Sequence, residues 1–415
     1  MTKFITKPLE KVTSLMTKGI APKYINEIND NTVIVLNQKC NKNFIISLEQ
    51  SRLNDCTKKK IPIEKMLKRY DVLINSTGTG TAGRVAQLFN VTKPMTIDGH
   101  MILMRPTNEI ESIFYGYALK AHQTEIELLA EGSTGQTEIN RKRLGSEIMI
   151  SFPTDINEQK KISNFLYQID QKIWNNQQIN NNLEQQSQTI FKEWFINNSE
   201  NANWKTGTFS DLIISTLNGD WGKDTPIGNN TKKVYCIRGA DIPEVKIGSK
   251  GKMPTRYILP KNYNVKKLTA GDIVIEISGG SPTQSTGRCT VISESLLNRY
   301  DSGMICTNFC KALKPIKKYS KFIYYYWQYL YDKGIFFSYE NGTTGIKNLD
   351  ISGFLNTEAI IIPPIEKITR FNEYCHPIFN QIFLNAKQSE HLSLIRDILL
   401  PKLMSGELDV SNIDF

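Results

Sequence analysis

The feature that most constrains this chain is that it occurs twice within itself. Tyr70-Asp-Val-Leu-Ile-Asn-Ser-Thr-Gly-Thr-Gly80 matches Gly271-Asp-Ile-Val-Ile-Glu-Ile-Ser-Gly-Gly280 at a shift of 201, and each copy then reaches a Gly-Arg pair, Gly83-Arg84 and Gly287-Arg288. Gly132-Ser-Thr-Gly135 matches Gly342-Thr-Thr-Gly345 at a shift of 210. Each copy then runs through a short apolar strand, at 147–153 and 359–363, into a long helical pattern. The repeat is one large unit present twice, which excludes a solenoid of short units.

The two helical segments carry matched seams. Steps of four and three pick out Ile162, Leu166, Ile169, Ile173, Asn176, Asn180, Leu183, Ser187, Ile190 and Trp194. A constant shift of 209 gives Phe371, Cys375, Ile378, Ile382, Asn385, Ser389, Leu392, Arg396, Leu399 and Leu403. A mean step of about 3.5 predicts a coiled-coil seam. Both segments read as helices uninterrupted until Pro401. The first, 158–195, would reach about 57 Å at 1.5 Å per residue. A helix that long cannot bury its stripe in a small domain, so the two stripes are expected to bury each other as an antiparallel pair, 158–195 against 367–403. Both seams are polar at their centre (Asn176/Asn180 and Asn385/Ser389). Such asparagines either fix register or stay partly solvated.

The segments between the helices differ from them in charge and pattern. Residues 1–154 carry 21 Lys/Arg against 15 Asp/Glu, and residues 199–364 carry 21 against 14. The helical segments 155–198 and 365–406 are close to neutral and the tail 407–415 is acidic, so the net charge of +10 sits in two blocks. Two basic bodies joined by neutral spacers fit one polyanion touched at two places, although a lysine-rich surface also arises from AT-rich coding. Each block is rich in short strands (32–36, 43–48, 72–75, 273–277) with few helices (110–122, 320–332), so the order is α/β globule, long helix, α/β globule, long helix.

Chemistry-bearing motifs are sparse. Gly78-Thr-Gly80-Thr-Ala-Gly83 matches the spacing of a dinucleotide fingerprint, but the segment after Gly83 is short and strand-like rather than a crossover helix, and the second copy loses the spacing. Both copies keep a Ser/Thr/Gly loop with an arginine at its far end, a pattern that offers hydroxyl and backbone donors to phosphate and a guanidinium to guanine, or simply makes a hairpin turn. The candidate DNA-contacting residues are therefore Ser76, Thr77, Thr79 and Arg84 in the first copy, and Ser278, Ser281 and Arg288 in the second. The second paired loop adds Ser133, Thr134 and Gln136, and Thr343, Thr344 and Lys347. The aromatic run at 322–327 has helical spacing and reads as a core face, with base stacking as the alternative. No P-loop, no Asn-Pro-Pro-aromatic motif and no nucleophile–base pair occurs. The four histidines are scattered and form no metal-ligand pair. Seven cysteines without a Cys-x-x-Cys fit reduced thiols in a cytoplasm. No apolar run is long enough for a membrane span, and the N-terminus does not read as a secretory signal.

Several stretches together resemble the specificity (S) subunit of type I restriction–modification systems: residues 71–84 around the first glycine loop, Thr307-Asn-Phe-Cys-Lys-Ala-Leu-Lys-Pro315, Asn157-Glu-Gln-Lys-Lys-Ile162 and Leu399-Leu-Pro-Lys-Leu-Met-Ser-Gly-Glu407. The second helix start departs from this pattern, with Pro364-Ile-Glu-Lys in place of Glu-Gln. The resemblance implies two α/β target recognition domains (1–154 and 199–364), each reading half of a bipartite asymmetric site in double-stranded DNA. It implies that the spacer helices (155–198 and 365–406) pair antiparallel and dock two methylation subunits. The interface residues would be Ile162, Leu166, Ile169, Ile173, Leu183 and Ile190 with Phe371, Ile378, Ile382, Leu392 and Leu399. S-adenosylmethionine, and ATP and Mg, would belong to the methylation subunits and to optional restriction subunits, with no cofactor, metal or catalytic residue in this chain. Two other readings stay open: an enzyme binding a nucleotide at the Gly78–Gly83 loop, and a coiled-coil scaffold that does not touch DNA.

Overall fold

The computed structural model describes residues 3–132, 137–281, 283–342 and 345–408. The candidate residues Ser133, Thr134, Gln136, Thr343 and Thr344 lie outside the described residues. The chain divides into two compact units, residues 1–171 with 392–415, and residues 172–391. Both boundaries fall inside the long helices, so each unit holds one globule and a stretch of each helix.

The first unit is built on a four-stranded antiparallel sheet: β1 (Thr13–Lys18), β2 (Val72–Asn75), β3 (Val85–Gln87) and β4 (Met101–Pro106), in spatial order β1-β4-β2-β3. Helix α1 (Ser112–Ala121) supplies Phe114, Tyr115, Tyr117 and Leu119 to the core beneath it. A second sheet pairs Thr32–Leu36 parallel with Met95–Ile97 and antiparallel with Arg52–Asp55. The long helix α2 (Ile156–Phe191) starts here. Its Gln159 is wholly buried: the amide Nε2 donates to the carbonyls of Pro153 (2.8 Å) and Glu109 (3.0 Å), and Oε1 accepts from Glu111 N (2.7 Å). The Gln of the Glu-Gln dipeptide thus ties strand, α1 and α2 at one point.

The second unit repeats this plan, with the same strand order in its main sheet and a second sheet shorter by one strand. Its main sheet is β5 (Ile213–Asn218), β6 (Ile273–Glu276), β7 (Cys289–Val291) and β8 (Cys310–Pro315), in the order β5-β8-β6-β7. Lys232–Ile237 pairs parallel with Met304–Cys306 and antiparallel with Thr255–Ile258. Helix α3 (Ser320–Asp332) buries Phe322, Tyr324, Tyr325 and Trp327, so the aromatic run is a core face. The sheet entrances match in detail. Asp71 accepts from Lys68 N (2.7 Å) and pairs with Arg105 of β4 (2.7 Å), while Asp272 accepts from Thr269 N (2.8 Å) and pairs with Lys314 of β8 (2.9 Å). Gly271 precedes the second of these at φ +95°, and Tyr70 takes the same left-handed conformation at φ +72°.

Within each unit α2 lies antiparallel to the second long helix, α4 (Ile365–Ser405). In the first unit Ile162 and Leu166 share a core with Leu400, Leu403 and Met404, and Asp170 pairs with Arg396 (2.5 Å). In the second, Asn176 donates to Asn385 O (3.2 Å) and Gln388 Oε1 (2.9 Å). Asn180 donates to Ile382 O (2.9 Å), Asn385 donates back to Asn180 Oδ1 (2.9 Å), and Phe191 packs on Phe371 (ring centroids 5.9 Å apart). Partners descend along α4 as they ascend along α2.

Four details differ from the sequence reading. Beyond Asn180 the buried positions depart from the expected seam by one residue at Glu184, Phe191 and Phe195, while Ser187 keeps its place. Glu184, Ser187, Phe191 and Phe195 are buried, whereas Leu183, Ile190 and Trp194 are only half-buried. The mean step from Ile162 to Phe195 rises to about 3.7, near the eleven-residue period rather than the heptad. What buries Glu184 is a hydrogen-bond set no apolar pattern reveals: its carboxylate accepts from Tyr324 OH (3.0 Å), Tyr325 OH (3.1 Å) and Gln328 Nε2 (3.1 Å). On α4, Ile378, Leu392 and Leu399 are half-buried, and Leu400 takes the fully covered place beside Leu403. Pro377 lies inside this helix, which nevertheless continues through both Pro377 and Pro401. Finally, the expected strand 43–48 shrinks to Ile45–Ile46, which pairs antiparallel with Asn41–Lys42. Asn43 and Phe44 have φ of +51° and +71°, which turn the chain between Asn41–Lys42 and Ile45–Ile46 so that the Phe44 ring can enter the core.

Candidate nucleic-acid interface

Three segments converge at the same end of the main sheet in each unit. In the first, the glycine loop leaving β2 is closed by Asn75 N donating to Arg84 O (3.0 Å) and Gly83 N to Asn75 O (2.9 Å). On one side Ser76 N donates to His100 O (2.8 Å), at the turn entering β4. On the other, Ile139 N donates to Ser76 O (2.7 Å). The second unit has the same bonds. Glu276 N donates to Arg288 O (2.8 Å), Gly287 N to Glu276 O (2.9 Å), Ile277 N to Phe309 O (2.9 Å) and Leu349 N to Ile277 O (2.8 Å). The glycines serve this geometry: Gly78, Gly80 and Gly83 lie at φ of +117°, +68° and +86°. The residues after Gly83 form strand β3, so the loop opens no helix over which a pyrophosphate could sit.

The side chains on this common frame differ. In the first unit Ser76 is buried and its hydroxyl has no partner among the described residues, while Thr77 Oγ1 donates to Gln38 Oε1 (3.2 Å) and meets His100 Nδ1 (2.8 Å). Thr79 is exposed. Arg84 is exposed, and its guanidinium holds only the Gly80 carbonyl (2.9 Å), with no ion-pair partner among the described residues. Beside the loop opens a cleft of about 560 Å³ lined by Asn37, Gln38, Lys39, Arg52, Tyr24 and His100, with the Arg52 guanidinium 3.7 Å above the Tyr24 ring. Buried Asp98 forms the floor of the turn and accepts from His100 N (2.9 Å); burial pushes its carboxyl pKa up.

In the second unit the cations are tied down. Arg288 donates twice to Glu276 (2.7 Å each), and Lys347 pairs with buried Glu340 (2.7 Å). Glu340 also accepts from Thr286 N (2.6 Å) and Oγ1 (2.9 Å); burial pushes its pKa up, but the Lys347 ammonium and the Thr286 donors outweigh it and hold it below the usual carboxylate range. Ser278 donates to Asn348 Oδ1 (2.6 Å), and Ser281 Oγ accepts from Gln284 N (3.0 Å), which caps the loop's own turn. Of the sequence candidates, Ser76, Thr77, Arg84, Ser278, Arg288 and Lys347 thus come together at matching mouths. Gln38, Arg52 and His100 join them from segments that no motif had marked. Their only advance signal was an amide and a basic residue side by side at Gln38-Lys39.

Residues 17–185 match the family model described as type I restriction modification DNA specificity domain. The match takes in most of the first globule and of helix α2. The MjaIX specificity subunit of the type I restriction enzyme of Methanocaldococcus jannaschii is 33% identical over 156 residues, a match covering 37% of this chain and 33% of that protein. The chain thus spans about a third of the length of this relative. The crystal structure of the type I restriction–modification S subunit from M. genitalium shares the fold, with TM-score 0.53 and 16% identity over 97% of this chain and 96% of that one. Among the described residues no helix is long and apolar enough to cross a membrane, and no group of three or more His, Cys, Asp or Glu is placed to hold a metal ion. The seven cysteines are all free thiols, and burial pushes Cys306, Cys310 and Cys375 to pKa values of about 12.

Proposed function

We propose that this chain is the DNA-recognition subunit of a type I restriction–modification enzyme, reading a bipartite asymmetric site in double-stranded DNA. The observation that carries the reading is the duplicated mouth. One frame of main-chain bonds is built twice and furnished with different side chains, as two unlike half-sites require. The excess positive charge of both globules supports contact with a polyanion. In this reading the long helices space the two domains and dock two methylation subunits, with restriction subunits as further partners, in the cytoplasm. S-adenosylmethionine on the methylation subunits would supply the methyl group for adenine N6, and ATP and Mg would serve the restriction subunits.

The test is to express the chain with its neighbouring genes and sequence the methylome of the host. A split motif, lost when this gene is deleted, is the expected result. Absence of methylation together with absence of salt-dependent DNA binding by the assembled complex would overturn the reading in favour of a scaffold. Nucleotide binding by the chain alone, seen by calorimetry, would favour an enzyme working at the Gly78–Gly83 loop.

A further inference from the structure

His100 and Phe309 hold the same position in the two units. Each is the last residue of the turn that enters the sheet, at β4 and β8. The turns match bond for bond, with Met101 N donating to Asp98 O (3.2 Å) and Cys310 N to Thr307 O (2.9 Å). The carbonyl of each residue is held by the first residue of the glycine loop, Ser76 and Ile277. Buried residues flank both: Asp98 and Met101 in the first unit, Thr307 and Cys310 in the second. Each residue therefore sits on a rigid base at one side of its mouth, next to the glycine loop.

We infer that this position reads a base in each half of the DNA target: Phe309 packs on the 5-methyl group of a thymine, and His100 accepts a hydrogen bond from the amino group of an adenine or a cytosine. The inference rests on the DNA-recognition reading above and gives it a residue and a base in each half. Phe309 is 58% exposed, although most phenylalanines of this chain are covered. An isolated exposed ring is ordinary on any surface. Here its neighbours add meaning, because Glu276 and Glu340 already engage the Arg288 and Lys347 heads. With those cations occupied, an apolar contact is what the Phe309 side of this mouth offers, and the thymine methyl is the apolar feature of the major-groove edge.

The polarity of His100 is set by its neighbours. The Thr77 hydroxyl has one proton and gives it to Gln38 Oε1, so at the 2.8 Å contact Thr77 accepts and His100 Nδ1 carries the hydrogen. Nε2 is then the acceptor, and no partner for it is found among the described residues. Exocyclic amino groups of adenine and cytosine are the major-groove donors it can meet.

The experiment uses the complete chain assembled with its methylation subunits and a duplex carrying the motif found in the methylome. Replacing each thymine of the half-site read by the second domain with deoxyuridine removes only a methyl group. At one such position the wild-type assembly is expected to lose on the order of tenfold in affinity, and Phe309→Ala is expected to lose no more on the substituted duplex than on the unsubstituted one. Phe309→Ala should relax that position in the methylome and leave the other half unchanged. His100→Ala should relax one adenine or cytosine position in the other half. A half-site without thymine, indifference to deoxyuridine at every position, or a wild-type motif in both variants overturns the inference while the DNA-recognition reading stands. So does a Phe309→Ala chain that fails to fold, since the ring would then be structural. A wild-type assembly with no motif at all fails the broader reading instead.

Discussion

The two glycine loops close with the same main-chain hydrogen bonds and yet dispose their arginines oppositely. Asn75 and Glu276 stand at one position of the repeat, one residue before the loop. Glu276 takes the Arg288 guanidinium in a two-pronged ion pair, while neutral Asn75 spends its amide on Gln38 O (3.1 Å) and leaves Arg84 to solvent. The lesson is that a repeated motif can keep its shape and lose its chemistry through one neighbouring side chain. The pairing Gly-Arg and Gly-Arg looks equivalent as text. In space one arginine is available to a ligand and the other is a brace.

The largest test of this contrast replaces each arginine in turn. Arg288→Ala leaves Glu276 buried without its cation and should cost about 3 kcal/mol of stability, read as a lowered midpoint in denaturant unfolding. Arg84→Ala should leave the midpoint unchanged and weaken DNA binding by the assembled complex by roughly 1–3 kcal/mol. Equal effects of the two variants on stability would break the comparison.

A smaller effect is expected from importing the brace into the first unit. Asn75→Glu should capture Arg84 and weaken DNA binding by about 1–2 kcal/mol, within the range of one specific contact. The double variant with Arg84→Ala should bind no more weakly than Arg84→Ala alone. Additive losses in this cycle would show that the introduced carboxylate acts on DNA directly and not through the arginine.

The smallest effect is one of pH. Glu340 titrates below its ordinary value when folded, so its contribution is present above about pH 4.5 and fades as pH falls toward the lower folded value. Amide exchange at Thr286, whose N–H is held by Glu340, should therefore lose protection on acidification. The Gly83 amide, held by a main-chain carbonyl, should lose less. Equal losses at both would mean that global unfolding, not the clamp, is being read.

Much of the architecture was legible because it is written in local pattern. The strands at 32–36 and 72–75 and the helix Ser320–Asp332 stand where alternation and turn residues put them. The antiparallel pairing of the long helices could be read from their matched seams. The slip at Glu184 was not legible, because a carboxylate reads as solvent-facing until Tyr324, Tyr325 and Gln328 are known to surround it. Pro377 shows the opposite. It forfeits one helical donor, yet the packing of α4 carries the helix through it. At the mouths, the glycine loops were visible as text. The approach of Gln38 and His100 to Thr77 was not, since those contacts span 39 and 23 residues of chain.

The closure of the loop by main-chain bonds has an evolutionary consequence. Between the two closing residues lie seven positions in the first unit (76–82) and ten in the second (277–286), and the same bonds join both ends. A frame that does not depend on the residues it displays tolerates insertion and replacement in the segment it holds. On the proposed reading, new half-site preferences would arise by exchanging that short stretch and the residue opposite it, with the sheet, the core and the long helices inherited unchanged.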